Sequence, residues 1–141
     1  DWFRSYLCCR EQFTEVAGKK SQTRTTSSGV PQGSVLGPLL FTIYINDLPS
    51  SVKTGKVFMF ADDATLFVSG SSLESVETQL NDAMKEVFDW TKYNRLVLNV
   101  KKTKVMLLSS RQRLSTVQNK KLSVNMNGVE LEQVTQYDAS E

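Results

Sequence analysis

Apolar positions recur along this chain with two different periods. Leu73, Val76, Leu80, Ala83, Met84, Val87 and Tyr93 fall at helical spacing and predict one long amphipathic helix. Ser71 followed by Glu74 forms a capping-box pattern that opens it, and Asn94 lies near its end. A second helix is expected from about Pro38, where a first-turn proline loses no hydrogen bond. Leu39, Leu40, Ile43 and Tyr44 continue it, and Pro49 is expected to end it. The stretch from Asp1 to Arg10, with Trp2, Phe3, Tyr6 and Leu7, reads as the end of another amphipathic helix.

The remaining apolar runs are short and strand-like. Gln12–Val16 and Ser21–Thr26 would pair as a hairpin closed by Ala17-Gly18-Lys19-Lys20. Val57-Phe58-Met59-Phe60 and Ala64-Thr65-Leu66-Phe67-Val68 are two runs separated by Ala61-Asp62-Asp63, and Gly70 stops the second. Val105–Leu108 is a further strand. The tail alternates weakly through Leu122–Met126, turns at Asn127-Gly128 and continues as Val129-Glu130-Leu131. Between Ser27 and Pro38 lies a loop dense in turn residues. Strands mixed with helices of this length imply an α+β fold with an antiparallel sheet.

A chain of 141 residues suffices for one domain or for a piece of a larger one. Hydrophobic residues at 40% and charged residues at 23% suit a globular protein, and no run approaches the roughly 20 apolar residues needed to span a bilayer. No membrane partner is therefore expected. The start, Asp1-Trp2-Phe3-Arg4, has neither an initiating Met nor a signal-peptide pattern and reads as a cut inside a longer chain. Cys8 and Cys9 are adjacent, which fits neither a zinc ribbon nor a redox pair; they read as reduced thiols of an intracellular protein, nuclear or cytoplasmic. The absence of histidine excludes His-based triads and His-built zinc sites. Chemistry here must run on carboxylates, lysines, hydroxyls or a bound metal. The net charge of +2 hides an asymmetry: between Trp90 and Val129 there are nine basic residues and no acidic one. Such a half suits nucleic-acid binding or a solvated lysine-rich face.

Asp62 and Asp63 carry the most chemical information. Two neighbouring carboxylates repel each other unless a cation or solvent relieves them. In a tight turn both could simply face water. Alternatively they hold divalent magnesium (or manganese), which takes carboxylate and water oxygens and bridges to substrate phosphates. Asp47 is the one nearby candidate for a third ligand and is not favoured.

Phe60-Ala61-Asp62-Asp63 resembles the signature turn of the reverse transcriptases of non-LTR (LINE-type) retrotransposons. Gly29-Val30-Pro31-Gln32-Gly33-Ser34-Val35-Leu36-Gly37-Pro38-Leu39-Leu40-Phe41, running on to Tyr44-Ile45-Asn46-Asp47-Leu48, is similar to that family's second palm motif. Trp90, Asn94, Leu96, Leu98, Asn99, Lys102 and Thr103 match the pattern after the signature helix, and Trp2, Ser5-Tyr6-Leu7 and Arg10 match the segment upstream. The resemblance runs in order over nearly the whole chain.

It implies a palm-type antiparallel sheet with helices packed on one face, and an RNA-directed DNA polymerase that uses an RNA template, a DNA primer and deoxynucleoside triphosphates. Asp62 would be a principal metal ligand and Asp63 an accessory one. Gln32 and Gly33, with Phe60 and Ala61, would lie against template and incoming nucleotide. Lys102 would meet the leaving pyrophosphate as charge partner or acid. Residues 1–28 would be a helix end and hairpin, 29–108 the palm core, and 109–141 an incomplete C-terminal palm or primer-support region.

Two departures bear on activity. The family's first palm motif, with another metal-binding Asp, is expected upstream of Asp1. At the other end Gln136-Tyr137 is followed by Asp138-Ala139-Ser140-Glu141, where the family has Tyr-Leu-Gly in a hairpin supporting the primer end. The thumb, too, is expected to lie outside this stretch. The isolated chain is therefore expected to be inactive, the alternative being a non-catalytic nucleic-acid-binding remnant of such a domain.

Overall fold

A computed structural model describes residues 1–110 and 121–135. The chain divides into two compact units, Asp1–Ile45 and Asn46–Glu141.

The first unit opens with α1 (Trp2–Leu7), whose Trp2 and Tyr6 rings stack at 5.3 Å. Next come β1 (Arg10–Gln12), β2 (Glu15–Val16), β3 (Lys19–Lys20) and β4 (Arg24–Thr26). The expected hairpin forms as two antiparallel ladders in line, Arg10↔Thr26 to Gln12↔Arg24 and Glu15↔Lys20 to Val16↔Lys19. Lys19 and Lys20 thus belong to the ladder and not to the turn. The turn is Ala17-Gly18, with φ of +50° and +76°, a combination whose twist suits a two-residue hairpin loop. The helix α2 (Leu36–Ile45) has Pro38 in its first turn, as expected. It ends at Ile45 without the help of Pro49.

Pro49 instead begins a helix. In the second unit α3 (Leu48–Ser51) carries it at its N-terminal turn, where a fixed φ is already helical. Strands β5 (Lys56–Phe60) and β6 (Asp63–Phe67) follow, then the long α4 (Leu73–Tyr93). The cap of α4 is Ser72, one residue later than the capping-box pattern suggests: its Oγ accepts from the Ser75 amide at 3.2 Å. The helix buries Ala83, Met84, Val87, Trp90 and Thr91. Tyr93, expected on that face, is 88% exposed. It lies two residues past Thr91, about 200° further round the helix, and so points to solvent.

Beyond α4 come β7 (Lys104–Met106), β8 (Asn125–Met126), β9 (Val129–Glu130) and β10 (Glu132–Val134). Leu107 and Leu108, expected to extend β7, lie outside it. The core gathers Met84, Val105, Leu122, Val124, Met126 and Leu131, with Leu66, Leu80 and Leu98 among those packed against it. Leu122 and Val124 are fully buried, yet their segment precedes β8 and belongs to no strand. The Leu122 amide donates to Gln133 Oε1 and the Val124 carbonyl accepts from the Leu131 amide, each at 2.8 Å, and side chains of α4 supply further partners. Glu77 Oε2 accepts from the Ser123 amide at 2.9 Å. Asn81 donates to the Ser123 carbonyl and accepts from the Asn125 amide, each at 2.9 Å. One face of a helix thus meets part of the demand that a neighbouring strand would otherwise satisfy.

The single antiparallel sheet expected from the pattern is not what the described residues form. They make five two-stranded pairs, four antiparallel and one parallel, β7 with β10. A parallel pair needs a long crossover, and residues 107–131 provide one. Among the described residues no helix is long and apolar enough to cross a membrane.

Candidate functional site

The tip of the β5–β6 hairpin carries the carboxylate pair. The register runs from Lys56↔Phe67 through Phe58↔Thr65 to Phe60↔Asp63. Asp63 is therefore the first residue of β6, and the loop is only Ala61-Asp62. Directly opposed residues share a face of the ladder. One face carries Val57, Met59 and Leu66, all half-buried, and Leu66 reaches the core. The other carries Phe58, Phe60, Asp63, Thr65 and Phe67, all exposed. The hairpin is thus anchored by one side and presents aromatic rings beside Asp63 on the other.

Ala61 closes the tip with φ of +52°, in the left-handed region that disfavours a Cβ. Asp62 and Asp63 are exposed, and among the described residues neither takes part in an ion pair. Their oxygens are the hard donors that magnesium prefers, and magnesium commonly takes only one or two protein carboxylates, with water and phosphate oxygens filling the rest. The pair fits that share of a coordination shell. Among the described residues no group of three or more His, Cys, Asp or Glu side chains gathers to hold an ion. Asp47 is exposed at the start of α3, where its carbonyl accepts from the Ser50 and Ser51 amides.

The hairpin base is held as firmly as its inner face. Both oxygens of Glu86, on α4, reach the loop that leads into β5. Oε2 accepts from the amides of Lys53 at 2.6 Å and Thr54 at 3.2 Å, and Oε1 accepts from the Thr54 hydroxyl at 2.9 Å. Gly55 follows. A Cβ there would stand 3.0 Å from the Phe67 carbonyl oxygen and 3.0 Å from Val68 Cγ1, so the two strands close on each other where they start. Sequence pattern alone gives no sign of Glu86: it is one acidic residue among several on a helix.

Gln32 and Gly33 belong to the other unit. They are exposed in the turn between Pro31 and Ser34, whose amide and hydroxyl both donate to the Pro31 carbonyl. Ser34 Oγ also accepts from the Gly37 amide at 3.0 Å and so caps the start of α2. Gly33 has φ of +77° and open space around it, so its need for glycine in this structure is conformational. Upstream, the Arg10 guanidinium donates to the carbonyls of Gly29 at 2.6 Å and Ser28 at 3.4 Å, which fixes the entry to this loop.

Lys102 is exposed in a turn after α4, where its amide donates to the Asn99 carbonyl at 3.1 Å and the same carbonyl takes the Thr103 amide and hydroxyl. Of the basic stretch, Lys104 pairs with Glu132 at 2.5 Å and Lys121 with Glu130 at 3.1 Å, whereas Lys92, Arg95 and Lys101 are exposed. Arg111, Arg113 and Lys120, and the Gln136-Tyr137 departure, lie outside the described residues.

A family model described as reverse transcriptase (RNA-dependent DNA polymerase) matches residues 1–131. The chain is 29% identical over 140 residues to a probable RNA-directed DNA polymerase from transposon BS of Drosophila melanogaster, covering 94% of this chain and 15% of that protein. It is 27% identical over 106 residues to the RNA-directed DNA polymerase from mobile element jockey of the same species, covering 70% of this chain and 12% of the relative. A Pol polyprotein from the type-1 retrotransposable element R1 2 of Nasonia vitripennis is 31% identical over 85 residues, 59% of this chain and 21% of that protein. The chain thus spans a fifth or less of the length of the first two relatives. No solved structure matches it.

Proposed function

Because the chain belongs to the reverse transcriptase (RNA-dependent DNA polymerase) family, we propose that it contributes the metal-binding turn of a non-LTR retrotransposon polymerase, which copies an RNA template onto a DNA primer. The observation that carries the reading is the hairpin tip, where Asp62 and Asp63 stand adjacent, exposed and held on a paired strand end. In the reaction the primer 3′-hydroxyl attacks the α-phosphorus of a deoxynucleoside triphosphate; a phosphorus–oxygen bond forms, the bond to the β-phosphate bridging oxygen breaks, the hydroxyl proton passes to solvent, and pyrophosphate leaves. Bound magnesium, or manganese, would supply positive charge to the attacking and leaving oxygens. Asp62 is the principal ligand and Asp63 the accessory one. Gln32 and Gly33, like Phe60 and Ala61, contact the template or incoming nucleotide. Lys102 meets the departing pyrophosphate as charge partner or acid.

Two carboxylates from one turn approach an ion from one side. A two-ion site draws ligands from more than one element, and this turn supplies one part of it. Alignment of reactants can supply roughly 7–11 kcal/mol of the barrier, and a half-built site forfeits much of it. The isolated chain is therefore an inactive nucleic-acid-binding piece of an active parent.

Primer extension on an RNA template with magnesium tests both halves. The parent polymerase should extend, and Asp62→Ala should abolish it. A parent that tolerates Asp62→Ala would refute the metal role. Robust extension by the 141-residue chain, lost in Asp62→Ala, would mean that another of its own residues, such as Asp47, completes the site.

A further inference from the structure

We propose that Glu86 is a positioning residue for the Asp62–Asp63 turn: it clamps the base of the hairpin to α4 and so fixes where the carboxylates stand, without touching any reacting group. The inference rests on the reading of that turn as a metal site. Three observations carry it. Both Glu86 oxygens are spent on the Lys53–Thr54 segment, through two amides and a hydroxyl at 2.6–3.2 Å. Thr54 and Gly55 lead directly into β5, and the close approach of Gly55 to the Phe67 carbonyl leaves no slack between the strands there. Among the described residues β5 and β6 pair only with each other, so no neighbouring strand steadies the hairpin sideways.

The hairpin is then a lever. From its base to the carboxylates is roughly 20 Å at about 3.4 Å per residue. A tilt of about 3° at the base moves the tip by about 1 Å, and a displacement of that size can cost about a hundredfold in rate. Packing of α3 on β5 and of α4 on β6, with Leu66 against the core, limits the motion from the inner face but leaves the tip itself unsupported. Glu86 holds the base. The contacts are charge-assisted and come from residues 32 and 33 positions away in sequence, which is a tertiary restraint and not local helix capping.

The test uses Glu86→Gln, which keeps the size of the side chain but turns one acceptor into a donor. Asp82→Asn, an exposed change on the same helix, serves as the charge-matched control. Thr54→Val removes the hydroxyl bond alone and gives a milder variant in case the first fails to fold. Amide hydrogen exchange of β5 and β6 is compared with that of Ala83, Met84 and Val87 in α4, and Mn2+ binding is followed by paramagnetic broadening of the tip. Hairpin exchange should quicken about tenfold in Glu86→Gln and less in Thr54→Val, with the α4 amides unchanged. Mn2+ affinity should weaken several-fold, and Asp82→Asn should alter neither readout. Exchange and affinity both at the wild-type level in Glu86→Gln, or hairpin and α4 amides quickening together, would overturn the proposal, the second outcome marking a merely structural role. A wild-type chain whose tip does not bind Mn2+ would refute the metal site instead, and hairpin exchange alone would then decide the clamp.

Discussion

Ala61 holds a backbone conformation that a side chain disfavours, and its φ of +52° sits beside the two carboxylates. The left-handed conformation costs a non-glycine residue roughly 1–2 kcal/mol, while glycine adds roughly 0.5–1 kcal/mol of chain entropy to be lost on folding. Ala61→Gly should therefore raise stability by up to about 1 kcal/mol in chemical denaturation, and Ala61→Val should lower it by at least about 1 kcal/mol. Stability lost in the glycine variant would mean that the turn is not strained. Asp62→Asn and Asp63→Asn, by contrast, should leave metal-free stability within about 0.5 kcal/mol of wild type, because both side chains are exposed and out of ion pairs among the described residues. A larger loss would show that they hold the fold. At this scale the sequence was legible where chemistry and spacing coincide: two aspartates between two β-formers announce a turn. The sign of φ at Ala61 was not legible, because alanine gives no hint of a conformation normally left to glycine.

Elements were readable where their pattern is local. The face of α4 follows from spacing as far as Val87, though Trp90 and Thr91 complete it in place of Tyr93, and the hairpin of β5 and β6 follows from two apolar runs around a short polar break. What α4 does with its polar residues was hidden, since Glu77, Asn81 and Glu86 are satisfied by segments more than thirty residues away. Asn81→Ala leaves the Ser123 carbonyl and the Asn125 amide without their partners and should cost about 1–3 kcal/mol in denaturant unfolding. A change under about 0.5 kcal/mol, the size of a neutral surface substitution, would mean that water replaces the amide freely. Glu86 makes a pH prediction as well. Burial by itself raises its carboxyl, but the Lys53 and Thr54 amides, the Thr54 hydroxyl and the Lys53 charge outweigh it, so the group titrates below the ordinary value of 4.5. A depressed folded value contributes stability that is fully present above the unfolded value and is lost as pH falls through the folded one. Hairpin protection should thus be flat from neutrality to about pH 5 and decline below about 4.5, and Glu86→Gln should remove that decline.

The whole molecule distributes the expected site over two units, with Gln32 and Gly33 in the first and Asp62, Asp63 and Lys102 in the second. The order of motifs along the chain identified the family, whereas strand pairing stayed out of reach. Neither β7 nor β10 contains anything that names its partner, and a parallel register cannot be inferred from a turn that does not exist. Charge was legible in amount but not in availability. Lys104 and Lys121 are engaged by Glu132 and Glu130, so the phosphate binding proposed for this stretch would fall more heavily on residues such as Lys92, Arg95 and Lys101. Affinity for a primer–template duplex should fall steeply with salt, and the slope of log K against log salt should shrink by about 2 in the Arg95→Ser, Lys101→Ser double variant but hardly in Lys104→Ala. Binding equal at low and physiological salt would sink the electrostatic argument.

The parallel contact between β7 and β10 also dictates when the protein can finish folding. A hairpin can zip as soon as its second strand emerges, but β7 must wait for a partner that begins 26 residues after its own last residue, Met106. At a synthesis rate of about 5–20 residues per second, that is a delay of roughly 1–5 s on the ribosome. Throughout it one edge of β7 stays open to pairing with any extended chain nearby. Pairing across so long a separation in sequence is a late and slow event. Nascent chains stalled just short of Glu132 should for that reason be the aggregation-prone species, while α4 and the hairpin bearing the carboxylates are already in place.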